Sequence, residues 1–265
     1  MKPLMSMFAT LIILLLVNYC FAGERIVIIA PSAADIIYRL DASDMVVGKT
    51  KYIEKFKNAK LIGSHLKPNT ELILDLNPTL IITMESNIFL DTIKSLAHSK
   101  FLVYDPRNTK EIVKKINQFG NLLDKKEEAN NLLNKLEEQI KGVKKIKKKP
   151  TVLFEISSNP LLFAGRDSII YDIITKAGGI YPIKDNKKIV KASIETIYKY
   201  HPDVYIYQIG PMNKNPIEPE KREYFKDFKD IYFLRVNQID YLRANTKTFN
   251  NILSLNNYFQ EVGFK

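Results

Sequence analysis

The sequence predicts an α/β protein with two parallel-sheet lobes joined by one long α-helix. Three observations lead there. Short β-branched runs alternate with amphipathic stretches on both sides of the chain's middle, the pattern of a parallel sheet covered by helices. Residues 109–149 carry no strand pattern. One small unit also occurs twice: Glu71 stands seven residues before Pro78 in TELILDLNPTLII, and Glu195 seven before Pro202 in IETIYKYHPDVYI, 124 residues further on. In each copy an acid opens a short apolar helical pattern, a proline stops it, and a strand-like run follows.

The first lobe is expected over residues 23–123. ERIVIIA is a β-branched strand, broken by Pro31, with Ser32 placed to cap the helix AADIIYRL. MVVGKT (45–50) and KLIG (60–63) are extended runs. Asn69 or Thr70 caps a helix over Glu71–Leu76, and Asn77-Pro78 ends it. LIITM (80–84) is a strand, NIFLDTIKSLAH (87–98) an amphipathic helix, and FLVYD (101–105) a strand closed by Pro106. In a parallel sheet the ligand-facing loops follow the carboxyl ends of the strands. Here they are residues 31–33, 50–56, 64–69, 84–87 and 105–108.

TKEIVKKINQFGNLL (109–123) is one helix, fraying at Gly120. Asp124, with Glu127 three residues on, reads as the capping box of a second. Leu132, Leu133, Leu136, Ile140, Val143 and Ile146 keep a helical period up to Pro150. The connecting helix is therefore expected over 124–149, a rod of roughly 36 Å. The second lobe, 150–265, begins with the strand TVLFEIS. A loop (161–166), a helix opened near Asp167 (DSIIYDIITKAGG) and the second copy of the repeated unit follow. VYIYQIG and YFLRV are strands around a Pro/Lys/Asn-rich loop (210–223), and TFNNILSLNNYFQ is a terminal helix.

The chain has 265 residues, 46% hydrophobic and 26% charged, enough for a substantial core. Its net charge of +11 comes from 40 Lys+Arg against 29 Asp+Glu. Without an aromatic-rich basic patch this reads as a lysine-rich solvated surface and not a nucleic-acid module. Residues 1–22 read as a signal peptide. Lys2 begins it, MFATLIILLLV is too short to span a bilayer comfortably, and Cys20-Phe21-Ala22 offers a cleavage site before Gly23. Lipidation of Cys20 is disfavoured by the bulky Tyr19, so the expected product is a free periplasmic protein without cysteine. An enzyme is not expected. The three histidines (65, 98 and 201) stand in no nucleophile–base pattern, and there is no G-x-S-x-G, P-loop or HExxH. They are also too few for a bare zinc or manganese site.

Taken in order, the leader, RIVIIAPSAADIIYRL, MVVGKTKY, ELILDLNPTLII, the long helix, FAGRDSIIYDIITKAGG and IETIYKYHPDVYI resemble a known family. It is the helical-backbone class of periplasmic substrate-binding proteins, which serve ABC importers for ferric siderophores, haem and cobalamin. The resemblance covers nearly all of the mature chain and rests on the ordered set, not on one signature. It implies Rossmann-like lobes, a monomer, no catalytic cofactor, a small metal chelate as cargo and a dimeric membrane permease as partner. It further implies that Glu71 and Glu195, one per lobe, pair with arginines of that permease. As residues, both read as first-turn acids that stabilise a helix amino end, and the two roles are compatible.

The expected cleft is aromatic and basic, with Tyr52, His65, Tyr104 and Arg107 from the first lobe and Arg166, Gln208, Tyr241 and Arg243 from the second. By resemblance to the cobalamin receptor, Tyr52, His65 and Tyr241 fall where aromatic groups lie against a flat macrocycle. The chain has no tryptophan, and His65 stands where an indole is expected, which points away from cobalamin. An imidazole or phenolate can instead be an axial ligand to chelated iron, so His65 and Tyr241 are the candidate metal ligands. The arginines would meet propionates or catecholate oxygens. The simpler reading of each is a backbone-bonded loop histidine, half-buried tyrosines and solvated arginines. The functional expectation is a receptor for haem or a ferric siderophore, with cobalamin as the alternative. A secreted protein-interaction module comes after both.

Overall fold

The structure is a computed structural model that describes residues 23–84, 94 and 98–265. The expected leader with Cys20, and most of the expected helix 87–98 with the loop before it, lie outside the described residues. Two compact units emerge: the chain up to Ile29 with Ser43–Leu102, and Ala30–Ala42 with Val103–Lys265.

The first unit is built on a five-stranded sheet. Its strands are β1 (Ile26–Ile28), β2 (Val46–Lys49), β3 (Lys60–Leu61), β4 (Leu80–Thr83) and β5 (Lys100–Val103), in the order β3-β2-β1-β4-β5. The pairs β1–β2, β1–β4 and β2–β3 are parallel. β1 and β4 are buried along their whole length, as their unbroken apolar runs require of strands covered on both faces. Helix α2 (Thr70–Asp75) packs Ile73, Leu72 and Leu76 on Val27, Ile29, Ile62 and Ile81. Gly48 makes room for it, since a Cβ there would stand 2.8 Å from Leu76 Cδ1.

The second unit holds the other sheet, of β6 (Val152–Ser158), β7 (Leu161–Ala164), β8 (Ile189–Lys191), β9 (Val204–Ile209) and β10 (Tyr232–Asn237), in the order β10-β9-β6-β7-β8. β6, β9 and β10 are parallel, whereas β7 and β8 run antiparallel. The expected parallel sheet is present, with two antiparallel strands added at one side, and the expectation of a loop at 161–166 is corrected to the strand β7. Asn159 and Pro160 turn the chain straight back on β6 as a hairpin, and residues 189–191 then add the edge strand. Its helices are α1 (Ala34–Arg39), α3 (Thr109–Leu122), α4 (Lys126–Lys141), α5 (Ile169–Lys176), α6 (Ile194–Tyr200), α7 (Gln238–Leu242) and α8 (Lys247–Glu261).

The helices of the middle segment differ from expectation in three ways. α3 does not fray at Gly120. That residue is buried, and a Cβ would stand 2.6 Å from Ala129 Cβ, so it is the contact point of α3 with α4. Asp124 does not cap α4 but has φ +55°, and Lys125 precedes the helix without a side-chain cap. α4 ends at Lys141 and does not run on to 149. Beyond it the apolar period is satisfied by tertiary contacts. Ile146 seats against Gly178, and the buried Asn256 side chain bonds both the N–H (3.0 Å) and the C=O (2.8 Å) of Lys144.

The repeated unit survives to the level of single hydrogen bonds. Asn69 Oδ1 accepts the Leu72 N–H at 3.0 Å and caps α2, as expected; in α6, Ser193 N–H donates to Thr196 Oγ1 at 3.3 Å. Ile73 and Ile197 are the buried apolar positions. Asn77 (φ +45°) and His201 (φ +39°) reverse the chain before the buried Pro78 and Pro202. Thr79 and Leu80 N–H then donate to Arg25 C=O at 3.0 and 3.2 Å. Asp203 and Val204 do the same to Thr151 C=O at 2.9 and 3.1 Å. Arg25 N–H returns a bond to Thr79 Oγ1, and Thr151 N–H one to Asp203 Oδ2, at 2.9 and 2.7 Å.

Candidate ligand-binding site

In the first unit two loops at the carboxyl edge of the sheet are tied together. Thr50, fully buried, bonds back to β1 through its N–H (Ile28 C=O) and its hydroxyl (Ile29 C=O). Ile53 and Phe56 plug the loop after it, which leaves Lys51 and Tyr52 facing outward. Lys51 N–H donates to Gly63 C=O at 2.9 Å, joining this loop to the turn after β3. Gly63 (φ +92°) and the bridge from Gly63 to Pro68 close residues 64–67 into a tight turn, with Lys67 N–H on Ser64 Oγ at 3.0 Å. The turn lifts His65 and Leu66 to its tip. His65 and Tyr52 meet edge-to-face, ring centroids 5.6 Å apart at 63°, and Lys51 Nζ lies 4.8 Å from the Tyr52 ring centre. Tyr52 and Leu66 remain 37% and 69% exposed, so the edge presents an aromatic–imidazole–apolar surface flanked by a cation. Lys51 had no sequence signal of its own, because its role depends on where Tyr52 turns.

In the second unit Tyr241 follows the carboxyl end of β10. Asn237 Oδ1 accepts the Ile239 N–H at 2.8 Å and opens the short α7. The Tyr241 ring packs on Phe154 at 6.0 Å. Burial, with the Asp240 carboxylate adding to it, pushes its phenol up to about 12. It lines a cavity of about 510 Å³ with Arg39, Lys135, Gln139 and Asp240. Arg243 follows α7 and is half-buried.

The remaining expected residues lie elsewhere. Tyr104 is 1% exposed, stacks on Phe119 and donates its hydroxyl to Ala244 C=O at 2.7 Å; it is a core residue of the second unit. Burial, reinforced by Asp35, holds its phenol well above the usual range. Gln208 is fully buried in β9, its amide on Ile156 C=O at 2.8 Å. Because β7 is antiparallel to β6, Arg166 stands at the amino end of β6 and not on the carboxyl edge. Its guanidinium lies 5.4 Å from the Tyr171 ring centre. Arg107 shares a cavity of about 540 Å³ with it and is paired with Asp105 (3.0 Å) and Asp167 (3.9 Å). Lys188 also holds Asp105, at 2.7 Å. These arginines are engaged by carboxylates or aromatic faces of their own unit, and of these contacts only Arg107–Asp167 is distant in sequence.

Glu71 and Glu195 both occupy exposed first-turn positions. The Ser193 side chain and the backbone N–H at the start of α6 hold the Glu195 carboxyl below the usual range. Among the described residues there is no cluster of three or more His, Cys, Asp or Glu. No described helix is long and apolar enough to cross a membrane.

Residues 26–224 match the family model described as periplasmic binding protein. The chain belongs to this periplasmic binding protein family. It is 25% identical over 232 residues to an uncharacterized ABC transporter substrate-binding lipoprotein, YvrC, of Bacillus subtilis, covering 82% of this chain and 73% of that one. It is 27% identical over 214 residues to the high-affinity heme uptake system protein IsdE of Staphylococcus aureus, covering 76% and 72%. The heme complex of S. aureus IsdE superposes with a TM-score of 0.75 at 24% identity, over 90% of this chain and 99% of that one. The vitamin B12 binding protein BtuF of Vibrio cholerae gives 0.72 at 17%, over 92% and 99%. Within that family, the relatives it matches are substrate-binding proteins of ABC transporters. Its relatives are transport proteins, not enzymes. Such periplasmic binding proteins work outside the cytoplasm with a membrane permease and an ATPase, and are often lipoproteins.

Proposed function

We propose that this protein captures an iron chelate, haem or a ferric siderophore, and delivers it to the permease of an ABC importer. The observation that carries the reading is the Tyr52–His65 pair on the carboxyl edge of the first sheet, with Lys51 over the tyrosine face. A flat aromatic chelate finds there a ring to stack on, an imidazole able to ligate iron, and an ammonium for a carboxylate or catecholate oxygen. In the second unit, Tyr241 and Arg243 follow the carboxyl end of β10 and are proposed as chelate contacts. His65 is preferred over Tyr241 as the metal ligand, because imidazole binds iron in its neutral form, whereas burial adds to the cost of making the Tyr241 phenolate. Arg107, Arg166, Tyr104 and Gln208 are left out of the contact set. Relatives named for heme and a fold shared with a heme complex support the iron reading. Glu71 and Glu195 are proposed as the docking acids, since each sits on the same exposed turn of a matched unit.

The test is a titration of the purified protein with haemin, a ferric catecholate and cobalamin, followed in the visible. Haemin should give a shifted Soret band that His65→Ala changes in position, while Lys51→Ala weakens binding several-fold without moving the band. Tight cobalamin binding with no response to either iron chelate would overturn the reading.

A further inference from the structure

The segment after α4 contains Lys144, Lys145, Lys147, Lys148 and Lys149, five lysines in six residues, all exposed. Runs of this kind are ordinarily read as floppy charged tails. This one has a fixed backbone. Asn256, itself fully buried, takes the N–H and C=O of Lys144 and also bonds Ala177 C=O at 3.0 Å. Ile146, 3% exposed, is the one side chain of the run that turns inward. Pro150 C=O accepts the Ile180 N–H at 2.7 Å and anchors the far end. The lysines therefore sit on non-helical backbone that spans at most about 18 Å from Lys144 to Lys149, with a bend at Lys147 and Lys148.

The charges in the row are available. Lys141, just before it, is taken by Glu137 and Glu138. None of the five makes an ion pair with a described residue, and Lys148 Nζ lies 5.9 Å from the Phe264 ring centre. Five uncompensated ammonium groups held on one ridge repel one another, so the ridge gains from any ligand that supplies a matching row of negative charge. Lysine suits such a ligand. It is a mobile point charge without the planar fork that selects single carboxylates or phosphates.

We propose that this ridge is a docking surface for a linear polyanion of the cell envelope, a polymer carrying a phosphodiester or carboxylate in each repeat. Its place in the second unit favours a polymer over the bilayer that holds the permease. The ridge leads into the amino end of β6, next to Ile180 and Thr151. α6 runs toward the amino end of β9, so Glu195, in its first turn, stands roughly 10 Å from that end along the helix. A partner on the ridge thus leaves the Glu195 end free. This choice of partner rests on the docking role proposed for Glu195; the charge row does not.

The experiment compares two five-site variants of equal net charge. One replaces Lys144, Lys145, Lys147, Lys148 and Lys149 by Gln. The other replaces five exposed, unpaired lysines elsewhere: Lys57, Lys60, Lys114, Lys126 and Lys229. Binding to long-chain polyphosphate, and to vesicles containing phosphatidylglycerol, is measured at low and physiological salt, with haemin binding and thermal melting on the same samples. The ridge variant should lose polyphosphate binding at least tenfold while the scattered variant stays within about threefold of wild type, and salt should weaken the wild-type interaction steeply. An all-Arg ridge should retain binding. Equal losses in the two variants would reduce the effect to net charge and overturn the proposal. Stronger binding to vesicles than to polyphosphate at matched negative charge would replace the polymer by a membrane surface. Failure of haemin binding alone would count against the cargo reading and leave the ridge intact.

Discussion

Arg222 offers a sharp test of how the second unit is held together. Its guanidinium is paired with Glu155 through both carboxylate oxygens, and their side chains are 5% and 0% exposed. The same carboxylate accepts from the Tyr205 hydroxyl at 2.5 Å and from Asn213 Nδ2 at 3.4 Å. Arg222→Met would leave Glu155 charged, buried and held only by neutral donors. Removing one partner of a buried pair costs about 3–5 kcal/mol. For a chain of this size that lowers Tm by on the order of 10 °C. The surface pair Lys226–Glu223 is the internal standard, worth under about 1 kcal/mol. Calorimetry or urea unfolding of Arg222→Met and Glu223→Ala gives both values. Replacing the whole cluster with apolar groups, as Glu155→Leu, Tyr205→Phe and Arg222→Met together, should recover part of the loss, because no charge is then stranded. A single-site loss below about 1 kcal/mol, or a triple variant worse than the single by several kcal/mol, would refute the assignment of the cost to a stranded charge.

Three further outcomes are expected. Alanine at both Glu71 and Glu195 should cut transport in cells while leaving chelate affinity unchanged, with each single change milder, since an exposed pair is worth only ~1 kcal/mol. Normal transport by the double variant would make the repeated unit purely structural. Gly120→Val should cost about 1–3 kcal/mol by urea titration, because even a Cβ would meet Ala129 Cβ at 2.6 Å and force α3 from α4. The raised Tyr241 phenol gives a pH dependence whose sign is fixed: the group is neutral in both states below pH 10, and above it the unfolded chain ionises first. Stability is therefore lost between about pH 10 and 12, and Tyr241→Phe should flatten that part of the curve.

What the sequence determined by itself was local. Asn69, Pro78 and Pro202 each act within a few residues, by capping a helix or by barring α conformation before proline, so the repeated unit could be read before any fold was known. The strand ends of the first sheet were equally local, which is why Tyr52 and His65 were expected on its carboxyl edge and stand there. The tertiary structure alone decided the rest. A hairpin at Asn159-Pro160 reverses β7, and pairing direction is a relation between distant segments; it carried Arg166 to the opposite end of the sheet. Tyr104 and Gln208 follow strand patterns that do not say how deep a side chain will lie, and both are buried among partners far away in sequence. The helical period running to Ile146 was real, but Asn256 and Gly178 offered the chain beyond Lys141 better contacts than another turn of helix. Charge count gave +11 without saying where it gathers. A buried asparagine 112 residues away fixes the backbone at Lys144, where five of those charges begin to cluster.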